Sequence, residues 1–114
     1  MTIDIGERRQ EHVARLESEL ERLVEELKGL GASLIVLFGS YARGRRDLFT
    51  DLDIMAVMES DRPFVLRHCE LYATLRPCVP ADILVYTPDE FAQMRDRPFL
   101  RHILQTGKIL YARP

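Results

Sequence analysis

The chain has 114 residues, which is enough for one domain with a substantial core and too few for two. Its 46% apolar and 30% charged residues are typical of a folded globular protein. The net charge of −2 gives no overall basic field for holding nucleic acid, so we expect no direct nucleic-acid partner. No apolar run approaches the roughly 20 residues that span a bilayer, and the first residues lack the apolar core of a signal peptide. We therefore expect a cytoplasmic protein that makes no membrane contact.

Residues from about Glu7 to Leu30 predict one long helix, because leucines and valines recur at steps of three and four residues. This apolar stripe consists of Val13, Leu16, Leu20, Leu23, Val24, Leu27 and Leu30. Acidic residues mixed with basic ones cover the remaining surface, which indicates a solvated face. The acidic residues of this face are Glu17, Glu19, Glu21, Glu25 and Glu26. The alternative is that the stripe is wider than one sheet needs and helps to bind a partner. Glycines at positions 29 and 31 end the helix.

The middle of the chain predicts two strands, the first apolar on both faces throughout and the second apolar on both faces in its second half, after the acids, so we expect both to be largely buried in the sheet. Leu34–Phe38 forms the first strand and Asp51–Met58 the second. Gly39–Gly44 is expected to form a tight turn and a short helix, followed by a polar loop over Arg45–Thr50.

The last part of the chain predicts three helices and two strands. A helix from about Asp61 to Arg76 has Val65, Cys69 and Tyr72 on one face, and Asp61 is a candidate cap. The remaining elements are a strand over residues 81–86, a helix over 88–94 opened by a Thr87/Glu90 capping box, a helix over 98–106 and a strand over 108–112. These elements together predict an α/β fold, a small mixed sheet of about four strands with helices packed against it.

The cysteines and histidines give no sign of a metal site built on sulfur or imidazole. Cys69 and Cys78 lie nine positions apart without a His/Cys cluster, so we expect reduced, partly buried thiols. His12, His68 and His102 lie far apart on predicted helices, and each is interpreted as a surface or packing residue.

Two aspartates open the second predicted strand, directly after the turn and loop. Asp51 and Asp53 are two residues apart, so in a strand their side chains point to the same face. Adjacent carboxylates repel each other unless a cation lies between them, and Mg²⁺ prefers one or two carboxylates together with substrate phosphates. Gly39 lets the backbone come close to a ligand, and a helix beginning at Ser40 would offer free N–H groups to phosphate. The pattern predicts a metal–nucleoside triphosphate site.

Three arginines and one tyrosine near this turn allow two interpretations each. Arg43, Arg45 and Arg46 are either a solvated loop or a cluster that neutralises phosphate charge. Tyr41 either stacks on a ligand or packs against the protein.

The same residues carry a family resemblance. Gly39-Ser40, ten residues, and then Asp51-x-Asp53, with Ala42-Arg43-Gly44 in the gap, resembles the signature of the DNA polymerase beta-type nucleotidyltransferase superfamily. More narrowly, the chain is similar to the minimal nucleotidyltransferase (MNT) proteins. The resemblance implies a polymerase beta palm-like nucleotidyltransferase fold, with one nucleotidyltransferase domain over residues 1–114.

The resemblance also implies a chemistry and roles for particular residues. The reaction would transfer a nucleoside monophosphate, with pyrophosphate leaving and Mg²⁺ as cofactor. Asp51 and Asp53 would be catalytic ligands of the metal that bridges the phosphates. Asp82, at the start of the third strand, matches the superfamily's third catalytic carboxylate, which would hold a second metal ion and help to deprotonate the attacking hydroxyl. Gly39, Ser40 and Arg43 would bind the nucleotide, although Arg43 could instead pair with an acid and hold the loop.

MNT proteins commonly pair with a HEPN-domain toxin, and the resemblance therefore implies two classes of function. In the first, the protein is an enzyme that transfers AMP from ATP to a tyrosine hydroxyl of the HEPN partner and so acts as its antitoxin. In the second, it is an antitoxin that only binds and masks its partner. A small-molecule nucleotidyltransferase is a third hypothesis, disfavoured because the chain lacks a second domain to build an acceptor pocket. Three acids at one rim favour the enzyme. Whether the protein forms homo- or hetero-oligomers stays open.

Overall fold

The computed structural model describes residues 4–114, so the first three residues of the expected 1–114 domain lie outside the described range. Helices and strands follow one another in the order α1 (Ile5–Gly29), β1 (Leu34–Phe38), α2 (Gly39–Ala42), β2 (Leu52–Val57), α3 (Phe64–Leu75), β3 (Ala81–Tyr86), α4 (Pro88–Met94), α5 (Pro98–Thr106) and β4 (Lys108–Ala112). Among these helices none is both long enough and apolar enough to cross a membrane.

The strands form one mixed sheet in the order β3-β2-β1-β4. β1 pairs antiparallel with both β2 and β4. β2 and β3 run parallel, because α3 carries the chain back to the end of the sheet at which β2 began. The expected α/β fold with a four-stranded mixed sheet is therefore confirmed.

Helices cover both faces of the sheet, which explains why β1 and β2 are apolar on both sides. One face packs against α1 and α3 through a cluster that includes Leu16, Leu23, Ile35, Ile54, Leu71 and Ile83. The other face packs against α4 and α5 through a second cluster that includes Val36, Met55, Tyr86, Phe91, Leu100 and Ile103. Because side chains alternate along a strand, each strand residue can be assigned to one of these two faces.

The ends of α1 follow from local sequence. The Asp4 side chain caps the first turn by accepting a hydrogen bond from the Glu7 backbone N–H at 3.2 Å. After the last helical residue, Gly31 adopts a φ of +99°, the left-handed conformation in which glycine commonly ends a helix. Most of the predicted stripe is buried or half-buried, but Leu30 lies beyond the helix and is exposed, so its assignment to the stripe was wrong.

Glu19 is buried rather than solvated, which corrects the expectation that every glutamate of α1 lies on a solvated face. Only 4% of its surface is exposed. Both its carboxylate oxygens accept hydrogen bonds from Arg22, at 2.6 and 2.9 Å, and one also accepts from the backbone N–H of Cys78 at 2.6 Å. Hydrogen bonding to Arg22, with a smaller contribution from Cys78, lowers the pKa of Glu19 to about 2. This carboxylate joins α1 to the loop between α3 and β3.

The helix α3 differs from its predicted start and its predicted face. It begins at Phe64 after Pro63, without a side-chain cap, so Asp61 is not the cap. Its buried residues are Arg67, Leu71 and Leu75, whereas Val65 is 72% exposed. Arg67 reaches this face because its guanidinium is paired with Glu90 at 2.5 Å and also donates to backbone carbonyls, which compensates its burial.

The orientation of α3 also explains why Cys69 is exposed. Cys69 and Cys78 are free thiols, as predicted, but both are exposed rather than partly buried. Cys69 lies on the side of α3 opposite the buried leucines, and Cys78 lies in the loop after the helix. The capping box of Thr87 and Glu90 at the start of α4 is confirmed, with both reciprocal hydrogen bonds present.

Replacing Glu19 with Gln is expected to lower the free energy of unfolding by about 2 kcal/mol at pH 7, because Arg22 and the Cys78 N–H lose a charged acceptor. The folded-state pKa lies below the unfolded value of 4.5. The loss is therefore full above pH 4.5 and shrinks as the pH falls towards 2. Urea unfolding at several pH values measures it. Glu17→Gln, an exposed neighbour on the same helix, is the matched control, and equal stability of the two variants would contradict the structural role of Glu19.

Candidate active site

Three aspartates meet at one end of the sheet, where β2 and β3 begin. Asp53 is the register partner of Asp82 across the parallel β2–β3 pair, and Asp51 lies two residues before Asp53. One carboxylate oxygen from each of Asp51, Asp53 and Asp82 lies within 4.8 Å of the others. We refer to these three residues as the acid cluster. The expectation that these side chains lie together is met in the geometry.

The alternation of side chains along β2 shows which face of the sheet carries the acid cluster. Along β2, Asp53 alternates with Leu52 and Ile54, which belong to the core beneath α1 and α3. Asp53 therefore shares its face with Met55, which packs beneath α4 and α5. The larger core thus lies on the opposite side of the sheet from the acids.

Gly39 is required by the close approach of Asp53. The register of β1 and β2 pairs Phe38 with Asp53, so the next residue along the chain lies beside the Asp53 side chain. A Cβ atom at position 39 would lie 2.8 Å from Cγ of Asp53, which is closer than real contacts allow. Gly39 also has a φ of +76°, a conformation that side-chain-bearing residues rarely adopt. Only glycine satisfies both constraints.

The acid cluster is electrostatically strained. Burial, together with the neighbouring charges of Asp51 and Asp82, raises the pKa of Asp53 to about 6, while the charge of Arg43 acts in the opposite direction. A carboxylate that is both partly desolvated and flanked by two like charges favours a counter-ion. Carboxylate oxygens this close together suit a hard divalent cation such as Mg²⁺, which binds one or two carboxylates together with substrate phosphates.

The turn after β1 carries the predicted nucleotide-binding residues, of which Gly39 lies against Asp53. α2 consists of Gly39–Ala42 and begins one residue earlier than Ser40. Ser40 is half-buried and Arg43 is exposed. The electrostatic effect of Arg43 on Asp53 is compatible with either predicted role, contact with phosphate or pairing with an acid, and the choice between them stays open.

The loop between the turn and the acids is held by hydrogen bonds that sequence reasoning missed. The Asp47 side chain accepts from the Phe49 N–H at 2.8 Å and from the Thr50 hydroxyl at 3.1 Å. From α1, His12 Nε2 hydrogen-bonds to the Thr50 carbonyl oxygen at 2.9 Å, and Arg9 donates to the Arg46 carbonyl at 2.8 Å. The spacing Asp-x-x-Thr is a signal for such a local turn, but the contacts from α1 have no local signal.

Two of the three clustered arginines are engaged within the protein. Arg45 pairs with Asp47 at 2.7 Å. Arg46 lies over the Tyr41 ring, with its guanidinium carbon 3.6 Å from the ring centroid, and donates to the Tyr41 carbonyl at 2.8 Å. Tyr41 itself is buried, so of its two interpretations the structure supports packing.

Tyr72 and His68 lie along the free edge of β3, another feature that the sequence did not indicate. Their rings are 4.6 Å apart, and His68 Nδ1 lies 3.3 Å from the Ile83 carbonyl oxygen, next to Asp82. Partial burial raises the pKa of Tyr72, and the charges of Asp82 and the other two acids raise it further. Tyr72 therefore lies within electrostatic range of the acid cluster.

Comparison with known proteins agrees with this geometry. A family profile described as "Nucleotidyltransferase domain" matches residues 17–113. A protein of Methanocaldococcus jannaschii named "Putative protein adenylyltransferase MJ0604" is 34% identical to this chain over 77 residues, which cover 68% of the chain and 76% of the relative.

A solved structure with the same fold is the crystal structure of a mutant of the toxin-antitoxin MntA-HpeT. It is 21% identical in sequence, with a TM-score of 0.50, and the superposition covers 84% of this chain and 72% of that one. At this identity the likeness concerns the fold alone, and it agrees with the nucleotidyltransferase fold expected from the motifs. The profile match and the relative establish more: the chain belongs to the nucleotidyltransferase domain family and is a nucleotidyltransferase.

Proposed function

We propose that the protein is a Mg²⁺-dependent nucleotidyltransferase that transfers AMP from ATP to a hydroxyl group of a partner protein. The observation that carries the proposal is the acid cluster beside Gly39, with three carboxylate oxygens within 4.8 Å at an open end of the sheet. The name of the Methanocaldococcus jannaschii relative, which calls it a protein adenylyltransferase, supports a protein as acceptor.

Each residue of the site has a proposed task. Asp51 and Asp53 hold the metal, and Gly39 and Ser40 lie along the polyphosphate, because a glycine backbone comes closer to a ligand than any other. Arg43 adds positive charge near the phosphates. Bound Mg²⁺ would neutralise the charge that develops on the phosphates during transfer, and a second ion would be held by Asp82.

The transfer itself balances as a simple displacement. The acceptor oxygen forms a bond to the α-phosphorus of ATP, the bond between that phosphorus and the bridging α–β oxygen breaks, and pyrophosphate leaves. The acceptor hydroxyl loses its proton, and we assign Asp82 the role of receiving or directing it. Asp82 is the exposed member of the acid cluster, so an acceptor can reach it from solvent.

We further propose that the acceptor is a tyrosine of a HEPN-type toxin and that the protein is its antitoxin. Asp82 is exposed, so a macromolecule can present a hydroxyl to it. The solved structure with the same fold is that of a toxin-antitoxin pair, which favours a toxin as partner.

The first prediction of the proposed function concerns the metal. Asp53→Asn should raise the free energy of unfolding without metal by about 1 kcal/mol at pH 8, because it removes a partly desolvated charge facing two others. The folded-state pKa of about 6 lies above the ordinary 3.8, so this gain grows as the pH rises from 4 to above 6.

Thermal unfolding with and without Mg²⁺ tests this prediction. Wild-type protein should gain stability from Mg²⁺ at pH 8 and lose that gain at pH 5, where Asp53 binds a proton instead. Asp53→Asn should not respond to Mg²⁺, while Asp61→Asn, an exposed acid beyond the other end of β2, should behave as wild type. A retained Mg²⁺ response in Asp53→Asn would refute the metal assignment.

The second prediction concerns Asp82. Asp82→Ala should lower the transfer rate by about 100-fold or more, the range for a lost general base, while ATP–Mg²⁺ affinity changes only a few-fold. Asp89→Ala, an exposed acid in the first turn of α4, should retain both activities. Calorimetric titration and single-turnover transfer measure the two quantities separately. Full transfer activity in Asp82→Ala would assign the proton to another group.

The third prediction concerns the acceptor. A co-purified HEPN-type partner incubated with this protein, Mg²⁺ and ATP should gain the mass of one or more AMP groups. Radiolabel at the α-phosphate should transfer and label at the γ-phosphate should not, which distinguishes AMP transfer from phosphorylation. The Asp51→Asn, Asp53→Asn double variant should leave the partner unmodified. If wild-type protein inhibits the partner in a tight complex without modifying it, the masking function replaces the enzymatic one.

A further inference from the structure

An aromatic pair extends the row of side chains that contains the acids. Phe38 is the register partner of Asp53, so both side chains project from the same face of the sheet. Phe99, in the first turn of α5, contacts Phe38 with ring centroids 6.3 Å apart and planes at 87°. Across the sheet, the order on this face is therefore Phe38, Asp53 and Asp82, and Phe99 contacts the first of these.

Only part of the surface of Phe99 packs against the rest of the protein. Phe38 is half-buried against the second core cluster, but Phe99 remains 54% exposed. Edge-to-face packing fixes the orientation of the Phe99 ring without covering it. The result is a positioned, solvent-accessible aromatic surface beside a charged site.

The spacing between this ring and the acids suits the two ends of one nucleotide. Directly opposite side chains in an antiparallel pair lie about 5 Å apart. Because the two rings are 6.3 Å apart, Phe99 lies no more than roughly 11 Å from the carboxylate next to Phe38. A ribose separates the base of a nucleotide from its phosphates, so a nucleotide with phosphates at Gly39 can place its base over this ring.

We propose that Phe99 is the surface on which the base of the nucleotide stacks, with Phe38 holding it in position. This inference rests on the proposed function, since it takes the phosphates to lie at Gly39 and the acid cluster. A phenylalanine ring carries no hydrogen-bonding group and stacks on every base. Phe99 therefore contributes affinity for nucleotides without selecting adenine over guanine.

An apolar side chain of a partner protein is the other candidate occupant of this surface. The base is favoured because Phe38 lies in the same row of the sheet as Asp53 and Asp82, and Phe99 packs on Phe38. A ligand that already has its phosphates at the acids therefore has this ring within its length.

Titration of three ligands separates the base from the phosphates. Mg²⁺–ATP, Mg²⁺–GTP and Mg²⁺–tripolyphosphate, which has no base, are titrated into wild-type protein and Phe99→Ala. The variant should weaken ATP and GTP alike by at least about fivefold, the lower range for a lost stacking contact. Its affinity for tripolyphosphate should be unchanged, which also demonstrates that the site is folded. Phe99→Tyr, which keeps the ring, should restore both nucleotide affinities.

Phe64→Ala is the matched control, because Phe64 is 40% exposed and contacts another ring, Tyr86, at 5.2 Å near the opposite end of β3. It should bind all three ligands as wild type does. Equal weakening of all three ligands by Phe99→Ala would overturn the proposal in favour of a structural role. Unchanged ATP affinity would also overturn it, and loss of the partner complex in that variant would assign Phe99 to a protein interface. If wild-type protein binds neither tripolyphosphate nor ATP, the proposed function fails together with this inference.

Discussion

The register of β2 between β1 and β3 is the constraint on which the candidate site depends. Because Asp53 pairs with Phe38 on one side and with Asp82 on the other, one strand brings the Gly39 turn and two carboxylates to the same point. A slip of one residue would turn Asp53 into the core beneath α1 and α3, where its charge would have no partner. The apolar residues that follow it along β2 fix the register and so position the acids.

The helices and strands could largely be predicted from the sequence, since most of them end at residues with a clear backbone preference. β1 ends directly before Gly39, α4 begins at a capping box, and α5 begins at Pro98 and ends directly before Gly107. The errors arose where tertiary contacts overrode the local pattern. Glu19 is buried because Arg22 and the Cys78 N–H satisfy it, and α3 turns Arg67 inward because Glu90 is available as its partner. Neither partner is identifiable from helical periodicity alone.

The site could be predicted in its central residues but not in its surroundings. The Gly-Ser turn and the Asp-x-Asp pair lie close together in sequence, and Asp82 followed from the family resemblance. Arg9 and His12 contact residues of the loop before Asp51 that lie 37 and 38 positions further along the chain, respectively. These contacts exist only because α1 packs over that end of the sheet. The aromatic pair of Phe38 and Phe99 likewise requires the observed crossing of α5 and β1.

The separation of the acids from the larger core has a consequence for how such a protein can change over generations. The acid cluster lies on the sheet face opposite α1 and α3, and its charges repel one another, so the fold gains nothing from keeping all three. Under the proposed function, substitutions of these acids that abolish catalysis would cost the fold little stability, as is common where active sites trade stability for activity. A lineage could drift from enzyme to a purely binding protein in a few steps, with the scaffold intact throughout.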